Sequence, residues 1–235
     1  GYIPHNASQP FTMTDCVNNC KIEITLNATA NLDFGGCLAR IGTDNNFNTT
    51  AGLTFVNNTN NAAITIKGIS TVDVCGAGVL GYAGFYRINV DNCDNNGAVT
   101  VDMTKVRQIR IAGVVGRVYN SADHKNNVAM NFSNCSNTAT ISAKNTNETV
   151  DQNYTLIGGC FAQLENYYKG GVVSNCNNSG NILFDTTGIA DYNKMVTLGG
   201  VVAFFYSSLT FTDCNNTAEK VEAKMNGASE NLAIG

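Results

Sequence analysis

Short apolar stretches recur along the whole chain, and within them apolar side chains alternate with polar ones. Ile64 and Ile66, for example, flank a single polar residue. A period of two is typical of β-strands, whereas the apolar spacing of an amphipathic helix is not sustained anywhere. Frequent Asn, Gly and Thr also disfavour helix. The pattern therefore predicts an all-β fold.

The stretches belong to a repeat of about forty residues. Its anchor position is occupied by Cys16, Asn58, Cys93, Cys135, Cys176 and Cys214. Two places after the anchor, all six copies have Asn: Asn18, Asn60, Asn95, Asn137, Asn178 and Asn216. Three places before it stands a large apolar residue, and four places after it a small one. The agreement of several columns predicts six structural units.

A Gly-rich block follows each of the first five anchors at a variable distance, as in Gly78-Val79-Leu80-Gly81. A unit therefore holds three apolar stretches, one before the anchor, one after it and one in this block. The glycines would let the backbone bend or let neighbouring units approach closely. In the last copy Lys220 interrupts the apolar column after the anchor, and the adjacent Val221 indicates a slip of one residue.

Three short strands per unit, without a connecting helix, fit either a propeller blade or one coil of a parallel β-helix. The Asn column favours the β-helix, because equivalent residues of stacked coils lie about 4.8 Å apart and their amides can bond to one another. We therefore predict a parallel β-solenoid of about six coils with a ladder of asparagines at one corner. The alternative is that the asparagines only mark turns.

The Gly-Val-Leu-Gly block and the Asn-Cys-x-Asn corner resemble the GLUG-type repeats, over roughly residues 11 to 235. Blocks that end in Ala39, Ala162 or Ala203 depart from the second glycine of that pattern. The resemblance implies a parallel β-solenoid of the kind found in bacterial and protist surface proteins, which are often large and adhesin-like. It implies a location and a broad role but no reaction.

Composition narrows the range of functions that the protein could have. Charged residues make up 14% of the chain and the net charge is −4, so no basic surface for nucleic acid is expected. No apolar run is long enough to span a membrane.

Residues 1 to 10 lack the repeat and are interpreted as a cap or linker, and residues 11 to 235 as the repeat domain. The last residues resemble the start of another Gly-rich strand, so we expect a longer chain or self-assembly through the solenoid ends.

The nine cysteines are an odd number, so they cannot all pair within one chain. Five of them share the anchor column, where parallel Cβ vectors give poor geometry for disulfides. We interpret them as small buried side chains that stay reduced. Cys16 and Cys20 lie four apart, but His5 and His124 are not in a matching register, so neither a metal site nor a cofactor is predicted.

Aromatic and polar residues follow the Gly-rich strands, and stacking would align them along one edge of the solenoid. Aromatic faces beside hydrogen-bond donors suit a sugar ring or a protein partner. The alternative is that they pack on each other and cover the strand ends. The candidate ligand-binding residues are Tyr82, Arg117, Tyr119, Gln163, Tyr167, Tyr168, Phe204 and Tyr206.

The sequence thus favours a non-catalytic structural or adhesive module, extracellular or at the cell surface, that binds a glycan or a surface protein. Ten Asn-x-Ser/Thr sequons weakly favour an extracellular setting. The alternative is a polysaccharide lyase or hydrolase of the β-helix class, although the acidic residues, Asp73, Asp102 and Asp185 among them, form no column and lie mostly in variable loops. An ice-binding row of Thr25, Thr65 and Thr100 is a third hypothesis.

Overall fold

The computed structural model describes residues 2–3, 10–42, 52–70, 72–84, 87–120, 129–147, 154–166, 170–190, 192, 194–206, 208–226 and 231–235. Within these ranges the regular structure consists of thirty β-strands in five parallel sheets of six strands each. The described residues include no helix long and apolar enough to cross a membrane.

The sheets are numbered I to V in the order in which each coil passes through them. Sheet I contains Phe11–Thr14, Gly52–Val56, Arg87–Asp91, Met130–Ser133, Gly171–Ser174 and Leu209–Thr212. Sheet II contains Val17–Asn18, Thr59–Asn60, Asp94–Asn95, Ser136–Asn137, Asn177–Asn178 and Asn215–Asn216. Sheet III contains Ile22–Ala28, Ile64–Ser70, Val99–Lys105, Ile141–Asn147, Ile182–Asp185 and Val221–Lys224.

The other two sheets are formed by the Gly-rich blocks and the residues that flank them. Sheet IV contains Leu32–Gly35, Asp73–Ala77, Gln108–Ala112, Tyr154–Gly158, Met195–Gly199 and Leu232–Ile234. Sheet V contains Tyr2–Ile3, Leu38–Ile41, Leu80–Gly84, Val115–Asn120, Phe161–Asn166 and Val202–Tyr206.

The parallel β-solenoid is confirmed, and like residues stack over like residues from coil to coil. Asn95, for example, pairs with Asn60 on one side and with Asn137 on the other. Val221 pairs with Ile182, so the expected one-residue slip in the last coil is also confirmed. The coil has five strands rather than three, because the corner itself pairs as a two-residue strand and each Gly-rich block is two strands joined at its glycines.

The Asn column forms a continuous ladder of side-chain hydrogen bonds through all six coils. In each of the first five coils, Nδ2 donates to the Oδ1 of the next coil, at 2.7 or 2.8 Å. The same Nδ2 in the first five coils also donates to the carbonyl oxygen two residues later, as from Asn95 to Gly97 at 2.9 Å. Asn60, Asn95, Asn137 and Asn178 are almost completely buried. The ladder thus closes the corner within each coil and joins neighbouring coils.

A second row of stacked residues, which we call the left-handed file, explains why the residue before the anchor is Asn or Asp. All six residues in this file have φ between 49° and 57°: Asp15, Asn57, Asn92, Asn134, Asn175 and Asp213. Asn and Asp adopt this left-handed conformation more readily than other non-glycine residues. Their exposed side chains are bonded along the axis as well, as from Asn92 Nδ2 to Asn57 Oδ1 at 2.8 Å.

In each turn between sheets IV and V, one glycine packs against the asparagine ladder. A Cβ on Gly78 would lie 1.9 Å from Asn95 Oδ1, and one on Gly113 would lie 2.4 Å from Asn137 Oδ1. Only glycine fits at such a distance. The turn therefore reaches the corner and divides the interior into two apolar cores, one between sheets I and V and the other between sheets III and IV.

The outer face of sheet III corrects two expectations. Thr25 lies beside Lys67 and Glu23 beside Thr65, so the proposed threonine row was out of register and does not form. Asp102 and Asp185 lie in strands rather than loops, and they share one file with lysines. From the second to the sixth coil this file reads Lys67, Asp102, Lys144, Asp185 and Lys224. Its alternating signs give each charge an opposite neighbour across the strands.

The ladder yields a prediction about stability. Replacing Asn137 by Ala removes three hydrogen bonds, which involve Asn95, Ala139 and Asn178, and leaves buried amide groups without a partner. We expect the free energy of unfolding to fall by about 3 kcal/mol in chemical denaturation. The matched control is Asn96→Ala, which removes an exposed amide of another file, and we expect it to cost less than about 1 kcal/mol. Equal losses in the two variants would contradict a special role for the ladder.

Candidate binding crevice

Sheets IV and V diverge from the glycine turn that joins them. The polar faces of the two sheets lie opposite each other. Cys75 of sheet IV contacts the carbonyl oxygen of Gly81 in sheet V, at 3.6 Å from the sulfur. Asp33 of sheet IV forms an ion pair with Arg40 of sheet V, at 2.7 Å. We call the space between these faces the polar crevice. Its wall residues are Asp33, Asp73, Cys75, Arg107, Gln108, Arg110 and Tyr154 on the sheet IV side and Arg40, Tyr82, Arg117, Tyr119, Gln163 and Glu165 on the sheet V side.

Six of the eight sequence-predicted ligand-binding residues lie in two adjacent files of sheet V. The first file continues from Arg40 through Tyr82, Arg117, Gln163 and Phe204. The second runs from Gly84 through Tyr119, Glu165 and Tyr206. Tyr167 and Tyr168 lie outside the described residues. The stacking argument therefore placed these side chains in adjacent files.

Most residues of these two files are less exposed than residues of a surface stripe would be. Tyr82 is 1% exposed and Gln163 is 3% exposed. Tyr119 and Phe204 are half-buried, and Tyr206 is 52% exposed. The base of the crevice is thus a packed polar layer, and only its rim is accessible to a ligand.

Arginine guanidinium groups and tyrosine rings stack through the crevice. The Arg40 guanidinium lies 4.2 Å from the centroid of the Tyr82 ring, and Arg117 approaches the same ring from the next coil at 5.7 Å. Arg117 also lies 4.7 Å from the centroid of the Tyr119 ring. Such cation–π contacts gain strength when water is excluded.

Three carboxylates balance the arginines. Glu165 bonds to Arg117 at 2.9 Å and accepts a hydrogen bond from Gln163 at 2.7 Å. Asp73 bonds to Arg107 at 2.7 Å and reaches Arg110 at 3.4 Å. With the pair of Asp33 and Arg40, four guanidinium groups meet three carboxylates, so the crevice carries one formal positive charge.

Burial alone would lower the pKa of Arg117, but the charge and hydrogen bond of Glu165 act together with Tyr82 and Cys75 in the opposite direction, and the pKa lies above its usual value. Arg117 therefore stays protonated and cannot serve as a general base. Burial and the nearby Asp33 raise the pKa of the Cys75 thiol to about 12, although arginines around it act in the opposite direction. Cys75 is thus a neutral thiol at physiological pH.

Some polar atoms in the crevice have no hydrogen-bond partner although they are buried. They are Arg110 Nε, Arg117 Nε and Gln163 Oε1. An unpaired buried polar atom costs about 1–3 kcal/mol, so water molecules are expected to occupy the remaining space.

The sequence reasoning missed the sheet IV wall and the carboxylates. One signal was available, since four of the five arginines in the chain stand in or next to the Gly-rich strands, at Arg40, Arg107, Arg110 and Arg117. Asp73 was interpreted as a loop residue, but it begins a strand of sheet IV. Only the return of the chain at the glycine turn brings these groups opposite the predicted tyrosines.

The anchor cysteines form a file of free thiols at the corner, and Cys93, Cys135 and Cys176 are buried. Each donates a hydrogen bond to the carbonyl oxygen two residues earlier, as from Cys135 to Ser133 at 3.2 Å. Asn58 fills this file in the second coil and donates to Met13 instead. The thiols thus satisfy carbonyl groups beside the left-handed residue.

The described residues contain no group of three His, Cys, Asp or Glu side chains that could hold a metal ion.

A second concave surface lies on the outer face of sheet III. It has a volume of about 280 Å³ and is lined by the charged file, including Asp102, Lys144 and Asp185, and by Thr100 and Ser142. Backbone and side-chain hydrogen bonds from Thr187, with the charges of Lys144 and Lys224, hold the pKa of Asp185 below its usual value. These charges largely balance one another, so the surface has less distinctive chemistry than the polar crevice.

Comparisons of this chain with protein-family models, with curated proteins and with solved structures gave no match. The resemblance to GLUG-type repeats therefore stays a prediction.

The ion pair at the base of the crevice gives a second prediction. Glu165→Gln keeps the shape of the side chain but leaves the buried Arg117 without its counter-charge, so we expect a loss of about 2 kcal/mol in the free energy of unfolding. The same substitution at the exposed Glu222, 3.6 Å from Lys224, should change stability by less than about 0.5 kcal/mol. Similar values for the two variants would show that the pair is not buried.

Thiol reactivity gives a third prediction. Cys20 is the only exposed cysteine of the nine. Burial raises the pKa of Cys160. The pKa of Cys135 is also raised, by the neighbouring thiols of Cys176 and Cys93 and by burial. We expect iodoacetamide at neutral pH to label Cys20 in the folded protein and to label Cys135 and Cys160 only in denaturant. Peptide mass spectrometry measures this directly. Labelling of Cys135 as fast as Cys20 without denaturant would refute the packing of this file.

Proposed function

We propose that this protein is a non-catalytic structural and adhesive module, located outside the cell or at its surface, and that it binds a glycan along the rim of the polar crevice. The resemblance to adhesin-like repeat proteins supports the location and the role. The asparagine ladder supports a structural role, because hydrogen bonds join each coil to its neighbours. The proposal includes contacts with other chains through the solenoid ends.

The file of Tyr119, Glu165 and Tyr206 carries the glycan proposal. Two tyrosines that retain solvent access flank a carboxylate that is fixed by Arg117 and Gln163. They lie two coils apart, which is about 10 Å along the axis. Aromatic faces pack on the apolar face of a sugar ring, and the hydroxyl groups of the tyrosines bond to the hydroxyls of the sugar. Because the crevice base is already packed, the site needs little ordering when a ligand arrives.

A glycan array that displays neutral and acidic glycans tests this proposal. The variants are Tyr119→Ala and Tyr206→Ala, and we expect each to weaken binding at least about tenfold, since a buried aromatic contact contributes over 1 kcal/mol. Val172→Ala is the control, because Val172 is an exposed apolar residue on sheet I. Thermal unfolding confirms that all three variants fold.

Two outcomes would count against the site. If the wild-type protein binds no glycan on the array, the glycan proposal fails. If it binds one and both tyrosine variants bind equally well, the ligand lies elsewhere on the solenoid.

A polysaccharide lyase or hydrolase is the second candidate, because Asp33, Asp73 and Glu165 lie in one crevice with four arginines. Each of these carboxylates already bonds to a guanidinium group, and Arg117 is held in its protonated form, which favours binding over catalysis. Incubation with acidic polysaccharides, followed by assays for unsaturated products and new reducing ends, separates the two. Product formation that Glu165→Gln abolishes would favour the enzyme.

A further inference from the structure

Two files of polar side chains run side by side along the outer face of sheet III. The first, which we call the hydroxyl file, contains in the second to fourth coils Thr65, Thr100 and Ser142. The charged file contains in the second to fifth coils Lys67, Asp102, Lys144 and Asp185. On each strand one inward-facing residue separates the two files, so they lie about 7 Å apart.

A groove follows the solenoid axis between these two files. Its volume is about 280 Å³, and residues of four successive coils line it, from Thr100 and Asp102 in the third coil to Glu222 and Lys224 in the sixth. Glu222 and Lys224 lie 3.6 Å apart and largely neutralise each other. The groove therefore offers a ligand mainly the charges of the third to fifth coils, each of which is stacked between two neighbours.

These charges are neighbours along the axis, but most of them are not paired with one another. Lys67, Asp102 and Lys144 are exposed, and within the described part of the chain they form no ion pair and no side-chain hydrogen bond. Asp185 accepts two hydrogen bonds from Thr187, but both go to Oδ1, at 2.9 and 2.7 Å. Each of these four side chains thus retains charged atoms that a ligand can contact.

The sequence of signs selects a ligand in which opposite charges alternate. A chain with charges of one sign would meet a repulsive group at every second coil. One exposed ion pair contributes little by itself, so a small ligand that meets a single charge is held weakly. A chain that meets Asp102, Lys144 and Asp185 in turn adds these contacts together. The pattern therefore fits a polymer with alternating ammonium and carboxylate groups.

The spacing of the charges favours a glycan over a peptide. Stacked coils lie about 4.8 Å apart, whereas successive side chains on one face of an extended peptide lie about 6.6 Å apart. A peptide along the axis would therefore lose its match with the charges after one pair. One pyranose ring adds close to one coil spacing to an extended glycan chain. Its hydroxyls suit the hydroxyl file, in which Ser142 Oγ donates to Thr100 Oγ1 at 3.3 Å.

The shape of this surface favours a narrow chain over a second copy of the protein. The charges of two copies in antiparallel orientation would also match. Both faces are concave, however, so a face-to-face pair would enclose two grooves and leave them unfilled. A chain one sugar wide fills the groove, and Leu183 in its wall offers an apolar contact to a ring face.

We propose that the groove between the hydroxyl file and the charged file binds a polysaccharide in which ammonium-bearing and carboxylate-bearing sugars alternate, with one sugar for each coil. Ammonium groups bind Asp102 and Asp185, and the carboxylate between them binds Lys144. Hydroxyls of the rings bond to Thr100 and Ser142. This groove lies on a different face from the polar crevice, and its ligand does not depend on the glycan proposed there.

Isothermal titration calorimetry with three polysaccharides tests the class of ligand. Hyaluronan from which the N-acetyl groups have been removed carries alternating carboxylate and ammonium groups, whereas intact hyaluronan carries only carboxylates and chitosan only ammonium groups. At low salt and mildly acidic pH, we expect the alternating polymer to bind at least about tenfold more tightly than the other two, because each of those meets a like charge at every second coil. Equal affinity for either of those polymers would refute the proposal.

An exchange of two charges tests the site. The double variant Asp102→Lys with Lys144→Asp keeps the composition and net charge but places like charges next to each other, so we expect at least about tenfold weaker binding of the alternating polymer. The matched control is Lys21→Glu with Glu23→Lys, which exchanges an exposed ion pair outside the groove and should bind as wild type does. Circular dichroism confirms folding. If the double variant does not fold, the single variants Asp102→Asn and Lys144→Gln replace it, and we expect each to weaken binding severalfold.

Three results separate the explanations. If the exchanged variant, or both single variants, bind the alternating polymer as tightly as wild type, the groove is not its site. If sedimentation velocity shows that the wild type self-associates and that Lys144→Gln stays monomeric, a second copy covers this face and the glycan inference is overturned. Binding on the glycan array depends on Tyr119 and Tyr206 and should be unchanged by the exchange of Asp102 and Lys144, so failure at the groove and failure at the crevice are distinguishable.

Discussion

The hydrogen bond between stacked asparagine side chains is the constraint on which the rest of this structure depends. Each amide both donates and accepts, so a column of identical residues satisfies itself only when successive coils are in register. Burial enforces this condition, because an unpaired amide in the interior costs more than a typical hydrogen bond contributes. The same side chains set the space for the glycine turns, since Gly78 and Gly113 pack directly against Asn95 and Asn137.

The glycine turn in turn determines where polar chemistry can collect. It brings sheets IV and V back to the corner and separates two apolar cores, which leaves the outer faces of these two sheets opposite each other. Arg40, Tyr82 and Arg117 meet the acidic residues there although they belong to different coils. A surface with few charged residues thus concentrates most of its arginines in one crevice. In our proposal, the ligand binds at the rim of the polar crevice, and the buried groups at its base contribute to stability.

The stacking of coils also places charged side chains next to one another along the axis. Alternation of charge along Lys67, Asp102 and Lys144 stabilises stacking inside the molecule. The register of the coils and the sign of the charge at each of these positions are therefore coupled.

The sequence by itself determined the repeat, the strands, the parallel stacking and the asparagine ladder, because these depend on columns of like residues that can be read without coordinates. It also placed Tyr82, Arg117, Tyr119 and Gln163 in one region. Only the tertiary structure decided that Tyr82 and Gln163 are buried and that Asp33, Asp73 and Arg110 lie on the opposite wall, since this requires the chain to reverse at the glycine turn. The columns show which residues are stacked along the axis, but they do not show how a coil bends in cross-section, and the site is a product of that bend.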